Sequence, residues 1–368
     1  MSALPPRWIT QNELLAGHTT IGLGGPARFF AHCENSDHLL EALSFAREAG
    51  LAAEVISGGS NIIFADEGFD GLIIQSALRG LRVDDSAGTV LAASGESWDD
   101  LVRTCIGRGW GGIECLSGIP GSVGATPVQN VGAYGQEVSE TIVSVQALDR
   151  QSGQIRDFSA SECNFAYRQS RFKGPDAGRF IITEVCFRLN KNAAPDVRYP
   201  ELRRALEQHA GVALLGTGRA ALSNVREVVL ALRRAKSMII DERDPESRSV
   251  GSFFMNPVLS DEAYRSLCDS WRRSGDGSAV PAFPAAGGVK VPAAWLVEHV
   301  GFPRGRQKGG AAISRRHALA IVNRGGSTAD VLELAEDIRR AVKEHFGIHL
   351  GIEPVVIPFR PLGHEAVS

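Results

Sequence analysis

The stretch SGIPGSVGATPVQNVGAYGQ, from Ser117 to Gln136, decides the fold more than any other part of the chain. It holds five glycines, two prolines and no charged residue. Glycine lets the backbone approach a ligand closely and adopt positive φ, and successive free N–H groups form an anion site. The stretch therefore predicts a loop whose backbone amides hold an anion such as the pyrophosphate of a nucleotide cofactor. A plain irregular loop is the alternative, although such long loops are uncommon.

Composition and charge restrict the classes of function. A chain of 368 residues predicts two or three domains, and its net charge of −3 gives no electrostatic reason to bind nucleic acid or an anionic membrane. No apolar run is long enough to span a membrane, and the N-terminus lacks the pattern of a secretory signal. The six cysteines show no paired or metal-ligand spacing. We therefore expect a cytoplasmic protein with reduced thiols and no metal.

The chain up to about residue 190 mixes helices and strands with short connections, which is typical of an α+β cofactor domain. Helices are predicted where a polar start, an apolar face and a glycine stop occur together: residues 36–50 and 97–109. Strands are predicted where short apolar runs end in turn residues: residues 52–57, two strands within 62–75, 141–149 and 179–189.

A domain boundary is predicted near residue 235. A helix over residues 222–236 leads into IIDERDPESRSV, residues 239–250, which we interpret as a charged linker without a role. The remainder is predicted to contain helices at 260–273 and 292–300, a strand at 318–323, a helix between Ser327 and Gly347, and a strand at 349–359. Ser327 and Asp330 have the spacing of a capping box.

Two glycine-rich segments are not dinucleotide sites. GRGWGG, residues 107–112, matches G-x-G-x-x-G but follows a helix instead of a strand. GLGGPA, residues 22–27, leads into a strand and not a helix. We therefore predict no Rossmann site.

Five motifs in order resemble the UDP-N-acetylenolpyruvoylglucosamine reductase family. They are GGSN after a strand, the stretch from Ser117, AYRQSRFK (166–173), GSFFMNP (251–257) and IEP (352–354), and the resemblance extends from about residue 17 to 358. It implies an α+β fold: a two-lobed FAD-binding module of the vanillyl-alcohol-oxidase type, residues 1–75 and 76–235, followed by a C-terminal α/β substrate-binding domain, residues 236–368.

The resemblance also implies the reaction. Members reduce UDP-N-acetylglucosamine enolpyruvate to UDP-N-acetylmuramate for peptidoglycan, with noncovalent FAD as cofactor and NADPH as co-substrate. We expect a monomer. The residues implied to bind FAD lie in the two glycine-rich loops: Ser57, Gly58, Gly59, Ser60, Asn61, Ser117, Gly118, Ile119, Gly121, Gly124, Gln129, Asn130, Gly132 and Ala133.

Three residues carry the chemistry that the resemblance implies. Arg168 matches the clamp on the substrate carboxylate, a task that suits a planar, permanently charged guanidinium. Ser252 matches the proton donor, and Glu353 matches an acidic group that assists protonation. A surface Arg, a turn Ser and a solvated Glu are the structural alternatives from the sequence alone.

The residues implied to bind substrate are Tyr167, Tyr199, Lys236 and Asn256, with Lys236 and Asn256 on the diphosphate. Tyr199 matches a loop tyrosine that covers the substrate in one subtype of the family. Met255 departs from the family pattern because many members have a basic residue there. His18-Thr19-Thr20 replaces a more usual Asn-Thr.

Two other functions are compatible with the glycine-rich loops. One is another FAD-dependent oxidase or dehydrogenase of the vanillyl-alcohol-oxidase superfamily. The other is a nucleotide-binding module without catalysis, which a flavin-containing preparation would exclude.

Overall fold

The computed structural model describes residues 4–210, 216–274 and 278–359. Its first part is a four-stranded sheet whose strands are, in spatial order, β1 (Thr10–Leu14), β2 (Pro26–Cys33), β5 (Phe69–Ser76) and β3 (Ala53–Ile56). The last three are parallel, and β1 is antiparallel to β2. One helix packs its apolar face on this sheet. The elements are β1 (Thr10–Leu14), β2 (Pro26–Cys33), α1 (Ser36–Glu48), β3 (Ala53–Ile56), β4 (Ile62–Phe64) and β5 (Phe69–Ser76).

The second part is built on a five-stranded antiparallel sheet. Its elements are β6 (Leu81–Asp84), β7 (Thr89–Ala93), α2 (Trp98–Gly107), β8 (Trp110–Gly111), β9 (Gly132–Ala133), β10 (Gln136–Glu137), β11 (Ile142–Asp149), β12 (Ile155–Ser159), β13 (Phe180–Arg188), β14 (Asn190–Lys191), α3 (Pro200–Ala210) and α4 (Gly218–Ala235). The strand order is β12-β11-β13-β7-β6. The helices α2 and α4 are joined by a bidentate ion pair between Asp99 and Arg226.

The third part has a four-stranded antiparallel sheet, of order β15 (Ser249–Ser252), β21 (Ala320–Asn323), β20 (Ala311–Ile313) and β19 (Gln307–Lys308). It also has a three-stranded sheet, of order β16 (Val258–Leu259), β18 (Gly288–Lys290) and β17 (Phe283–Ala285). Its elements are β15 (Ser249–Ser252), β16 (Val258–Leu259), α5 (Asp261–Ser274), β17 (Phe283–Ala285), β18 (Gly288–Lys290), α6 (Ala293–His299), β19 (Gln307–Lys308), β20 (Ala311–Ile313), β21 (Ala320–Asn323), α7 (Thr328–Phe346) and β22 (Val355–Ile357).

The end of the chain returns to the first part. Strand β22 pairs in parallel with β4, and the start of α7 is bonded to the same region, since the Thr328 hydroxyl donates to the Phe64 carbonyl. The third part is therefore joined to the first by a strand pair and by a hydrogen bond from α7.

Most predicted elements are present. The helix after Ser327 is confirmed with its capping box and with Gly347 at φ 70 as its C-cap, which is the left-handed conformation that glycine adopts without strain. The predicted neighbours of the two glycine-rich segments are also confirmed, because residues 108–112 follow the helix α2 and residues 22–27 lead into the strand β2.

Two predictions are wrong. The segment 239–250 is not a linker, because it contains a 3-10 turn at Pro245–Ser247 and the first two residues of β15. Its buried Glu246 forms an ion pair with Arg324. The strand at 349–359 is shorter than predicted, because only Val355–Ile357 pair as a strand.

One helix was missed. The helix α3 begins at Pro200, directly after Tyr199. Proline fits the first turn of a helix because the N–H that it lacks has no intrahelical partner there. Tyr199 therefore stands at a helix start and not in the middle of a loop.

Among the described residues, none of the helices combines the length and the apolarity needed to cross a membrane. The six cysteines are all free. Within the same described ranges, no group of three His, Cys, Asp or Glu side chains could hold a metal ion.

Candidate active site

A cavity of about 980 Å³ lies where the three parts of the chain meet. Its walls come from the loop between β3 and β4, the glycine-rich stretch after Ser117, the turn at Tyr167 and Arg168, the end of β15 and the start of β22. A cavity of this size, walled by several separate chain segments, is typical of a site for a large ligand.

The two glycine-rich loops lie against each other along one wall. A Cβ atom built on Gly58 would lie 2.7 Å from the Cα of Gly121, which is closer than real Cβ atoms come to non-bonded heavy atoms. The Ser60 hydroxyl donates to the Pro120 carbonyl at 3.0 Å, and the hydroxyls of Ser57 and Ser122 are also hydrogen-bonded. Only glycine lets the two backbones form one continuous surface of main-chain atoms here.

This surface fits a cofactor that carries a diphosphate. A Cβ on Gly124 would lie 2.5 Å from the Ser94 Cβ, so the loop backbone packs directly on the second sheet. No Lys or Arg lies between Ser117 and Gln136, so backbone N–H groups and hydroxyls are the donors that the loop itself offers to an anion.

The structure places most of the expected cofactor residues on the cavity wall. Those that line it are Ser57, Gly58, Gly59, Ser60, Asn61, Ile119, Gly124, Gln129, Gly132 and Ala133. Asn61 and Gln129 are joined across the two loops by a hydrogen bond of 2.8 Å.

Four of the expected cofactor residues lie behind the wall. The Ser117 hydroxyl donates to the Glu114 carbonyl, and the Gly118 N–H donates to Asp99. Gly121 packs on the other loop, as described above. The buried Asn130 side chain donates to the Ala166 carbonyl at 3.1 Å. These residues shape the loops instead of lining the cavity.

A tight turn places Tyr167 and Arg168 in the cavity. Ala166 and Gln169 exchange two backbone hydrogen bonds of 3.0 Å, which leaves Tyr167 and Arg168 at the tip. Arg168 has φ 55, the positive value that the second central position of a type II turn requires. A left-handed arginine is uncommon, and such backbone strain is concentrated at functional sites.

Arg168 and Glu353 form a half-buried ion pair. The Arg168 Nε lies 2.9 Å from Glu353 Oε1, and the two side chains are 18% and 12% exposed. Arg168 Nη2 also donates to the Gly132 carbonyl at 2.9 Å. Burial raises the pKa of Glu353 above its usual range, although Arg168 and Lys173 oppose this effect.

Lys173 is a cation beside this pair that the sequence analysis left without a role. Its Nζ is buried and has no hydrogen-bond partner among the described residues, and it lines the cavity. Burial lowers its pKa, whereas Glu353 raises it. Arg168, Lys173 and Glu353 therefore form a group of two cations and one carboxylate.

Ser252 reaches the same cavity from the third part of the chain. It ends β15. Two residues later the Phe254 backbone bridges to Ile352, and the Glu353 N–H donates to the Phe253 carbonyl at 2.9 Å. These backbone bonds hold Ser252 and Glu353 on adjacent segments. The Ser252 hydroxyl lies 3.5 Å from His317 Nε2, a residue that the sequence analysis did not single out.

The four expected substrate residues also line the cavity: Tyr167, Tyr199, Lys236 and Asn256. The rings of Tyr134 and Tyr199 meet edge to face at 5.7 Å, and Lys236 forms an ion pair of 2.7 Å with Glu201. The Asn256 Oδ1 accepts from the Ala293 N–H at the start of α6, and the Asn256 side chain is also hydrogen-bonded to Tyr167.

The structure adds four residues to this site that sequence reasoning missed or left unassigned: Tyr134, Lys173, Arg233 and His317. The rarity of lysine, six in 368 residues, is the one signal that pointed toward Lys173. Arg233 is buried and donates to the Gly118 carbonyl. Nothing in the sequence around Arg233 or His317 marks either as part of a cavity.

Comparisons with known proteins agree with this architecture. The family described as "FAD binding domain" matches residues 27–159, and "UDP-N-acetylenolpyruvoylglucosamine reductase, C-terminal domain" matches residues 244–357. The chain is 45% identical over 354 residues to the UDP-N-acetylenolpyruvoylglucosamine reductase of Thermobifida fusca (94% of this chain, 97% of that one). It is 44% identical over 355 residues to that of Mycobacterium tuberculosis strain H37Rv (93% and 94%).

A solved structure supports the fold. The crystal structure of UDP-N-acetylenolpyruvylglucosamine reductase from Thermus caldophilus superposes with a TM-score of 0.63 at 24% identity, covering 95% of this chain and 98% of that one. The expected α+β fold with a two-lobed FAD-binding module is thereby confirmed.

These findings define the chain first as an FAD-dependent oxidoreductase. Among such enzymes, it belongs to the UDP-N-acetylenolpyruvoylglucosamine reductase family.

Proposed function

We propose that the cavity is the active site at which this chain reduces UDP-N-acetylglucosamine enolpyruvate to UDP-N-acetylmuramate with NADPH. The observation that carries the proposal is the meeting of Arg168, Ser252 and Glu353 on one cavity wall beside the glycine-rich loops. Each side chain comes from a different segment, and together they supply a cation, a hydroxyl and a carboxylate.

FAD is proposed to lie along the surface made by the two glycine-rich loops, with Ser57–Asn61 on one side and Ile119, Gly124, Gln129, Gly132 and Ala133 on the other. When bound, the flavin supplies the hydride chemistry, from NADPH to the terminal carbon of the enolpyruvyl group. We expect noncovalent binding, because no His or Cys stands in a context that indicates attachment.

Arg168 is proposed to hold the substrate carboxylate. Its Nε faces Glu353 and its Nη2 is held by the Gly132 carbonyl, so the orientation of the guanidinium plane is fixed before substrate binds. A fixed positive charge at this position stabilises the negative charge that develops on the carboxylate as the neighbouring carbon becomes enolate-like.

Ser252 is proposed to donate the proton to that carbon. A serine hydroxyl is a weak acid, so it needs partners that fix its direction and replace its proton. Glu353, whose pKa is raised by burial, is proposed to assist by holding or returning a proton close to the reacting carbon. Lys173 and Arg168 keep this carboxyl from being an isolated buried charge.

The nucleotide end of the substrate is proposed to lie toward Tyr199, Lys236, Asn256 and Tyr167. Lys236 is paired with Glu201 at the start of α3, directly after Tyr199. Substrate diphosphate would therefore compete with Glu201 for Lys236 and meet the Tyr199 hydroxyl on the same segment. This arrangement fits the subtype in which a tyrosine covers the substrate.

The domain division into residues 1–75, 76–235 and 236–368 is proposed on the three sheets, with β22 as an extension of the third domain onto the first. We further propose that the protein acts as a monomer in the cytoplasm. The reduced state of all six thiols is the condition expected in that compartment.

The proposal is tested by measuring the two half-reactions of Ser252→Ala in a stopped-flow instrument. We expect normal flavin reduction by NADPH and a reoxidation by the enolpyruvyl substrate that is slower by roughly 10²- to 10⁴-fold, the usual value of general acid catalysis. The matched control is Ser249→Ala, since Ser249 lies on the same strand and lines the same cavity. Equal loss in both halves, or equal loss in the control, would contradict the assignment.

A further inference from the structure

We propose that His317 is a positioning residue for this reaction: its Nε2–H donates to the Ser252 hydroxyl oxygen and so directs the Ser252 proton into the cavity. The inference rests on the proposed function, because it assigns a partner to the proton donor named there. It concerns the direction of one O–H bond, which the motif around Ser252 does not determine.

The backbone fixes the tautomer of His317. The ring lies in the connection between β20 and β21, where the Leu319 N–H donates to His317 Nδ1 at 3.0 Å. A nitrogen that accepts a hydrogen bond carries no proton, so in the neutral ring the proton is on Nε2. The side of the ring that faces Ser252 is therefore a donor.

The same connection is bonded to Ser252 through the backbone. Ser252 pairs with Ala320 in register, and the Phe253 N–H donates to the Leu319 carbonyl at 2.7 Å. The ring and the hydroxyl are thus carried on two strands that cannot move independently. Their side-chain atoms lie 3.5 Å apart, the outer limit of a hydrogen bond, so a small closure on substrate binding would shorten the contact.

The charges around the ring keep it neutral. The cations that face it are Arg233 on α4, Lys236 directly after α4 and Arg304 after α6, and Glu201 at the start of α3 is the opposing anion. Glu298 and Arg316 line a smaller cavity of about 250 Å³ that His317 also lines. Burial and these cations lower the pKa of His317 to about 4, so an imidazolium is not available at neutral pH to serve as the acid in place of Ser252.

A directional consequence follows for the hydroxyl. A serine oxygen has one proton and two lone pairs, and its hydrogen rotates to suit its partners. When one lone pair accepts from His317 Nε2, the O–H bond must point away from the ring. Both residues line the cavity, so the directions that remain include the one in which the proposed substrate carbon lies.

The tautomer is tested without reference to activity. In protein labelled with ¹⁵N-histidine, the His317 signals are assigned by their loss in His317→Asn. We expect the Nε2–H tautomer at pH 7 and no protonation of the ring above about pH 5. An Nδ1–H tautomer, or an imidazolium at pH 7, would overturn the proposal.

A pair of variants separates the positioning role from a structural one. His317→Asn keeps an amide oxygen near Nδ1 for the Leu319 N–H but has no donor facing Ser252, whereas His317→Gln places an amide N–H near Nε2. We expect reoxidation by the enolpyruvyl substrate to slow by about 10- to 100-fold in His317→Asn, the size of effect that misplacing a reacting group produces, and to recover most of its rate in His317→Gln. Flavin reduction by NADPH is expected to be equal in all three proteins.

The double variant with Ser252→Ala distinguishes the possible failures. We expect His317→Asn to have no further effect in the Ser252→Ala protein. An equal loss in both backgrounds, or a wild-type rate in His317→Asn while Ser252→Ala is slow, would overturn the positioning role. Fast reoxidation in Ser252→Ala alone would instead refute the proposed function on which that role rests.

Discussion

The ion pair between Arg168 and Glu353 leads to a prediction whose size follows from its geometry. The perturbation is a double-mutant cycle of Arg168→Met and Glu353→Gln. The charged atoms lie 2.9 Å apart, and the side chains are 18% and 12% exposed. Two unit charges about 4 Å apart attract by about 4 kcal/mol at an effective dielectric constant of about 20. Because partial exposure screens part of this attraction, we expect a coupling free energy of about 1–3 kcal/mol.

The assay is equilibrium unfolding in urea of the four FAD-loaded proteins, with FAD at a saturating concentration because binding contributes to apparent stability. The coupling should depend on pH. Burial raises the pKa of Glu353, and the protonated carboxyl has no charge to pair with Arg168. The coupling is therefore expected in full above that pKa and to decrease as the pH falls through it, beginning at a higher pH than for an ordinary glutamate.

A matched cycle on the exposed pair of Arg108 and Asp85, whose atoms lie 3.0 Å apart at 42% and 72% exposure, serves as the control. We expect a coupling below about 1 kcal/mol there, as for surface pairs in general. A coupling of less than about 0.5 kcal/mol for Arg168 and Glu353 at pH 8, or one equal at pH 5 and pH 8, would refute the reasoning.

Two further predictions concern the nucleotide end and the acid limit of stability. Tyr199→Phe should raise KM for the sugar nucleotide by about ten- to a hundredfold with little change in kcat, because a hydrogen bond to a charged group is worth about 1.5–3 kcal/mol. An unchanged KM in steady-state kinetics would mean that the Tyr199 hydroxyl does not bind the substrate. His317 has a pKa lowered to about 4 in the folded protein and about 6.5 unfolded, so the unfolded chain binds more protons between these values and stability rises with pH there. Acidification from pH 7 to 4 should therefore lower the free energy of unfolding by about 3 kcal/mol through this residue. We expect this loss to be absent in His317→Gln and retained in the control His345→Gln. The same urea midpoints at pH 4.5 in all three proteins would contradict the prediction.

The helices and strands that sequence predicts best are those whose signals are local. The cap residues Ser327 and Asp330 and the C-cap Gly347 of α7 all lie within the helix or next to it, so no distant contact is needed to place its ends. The family resemblance implied that both glycine-rich loops bind FAD, and residue type explains why they can lie so close together, since a Cβ on Gly58 would lie only 2.7 Å from the Gly121 Cα.

The failures concern contacts between distant segments. Glu246 reads as a solvated charge in a linker, but its partners Arg315 and Arg324 lie about 70 residues or more further along the chain. The helix α3 was missed because its sequence is polar, with Leu202 and Leu206 as its fully buried apolar positions. Charge and polarity in a sequence do not reveal whether a partner arrives from elsewhere in the fold.

The residues of the candidate site also differ in whether the sequence or only the fold reveals them. Arg168, Ser252 and Glu353 were found because each stands in a recognisable motif, and the fold brings them to one wall. Lys173 and His317 line the same cavity, but only the folded structure marks them as functional candidates. The Lys173 Nζ is buried without a hydrogen-bond partner among the described residues, and His317 lies beside Ser252 of another strand. Such properties exist only after β15, β21 and the turn at Arg168 have been assembled.

The most direct test of the central claim is the flavin spectrum of the purified protein during one turnover. We expect a yellow protein whose flavin absorbance is bleached by NADPH in the absence of air and recovers on addition of UDP-N-acetylglucosamine enolpyruvate, with UDP-N-acetylmuramate formed in equal amount to the recovered flavin. A flavin that NADPH bleaches but the enolpyruvyl sugar nucleotide does not reoxidise would contradict the claim.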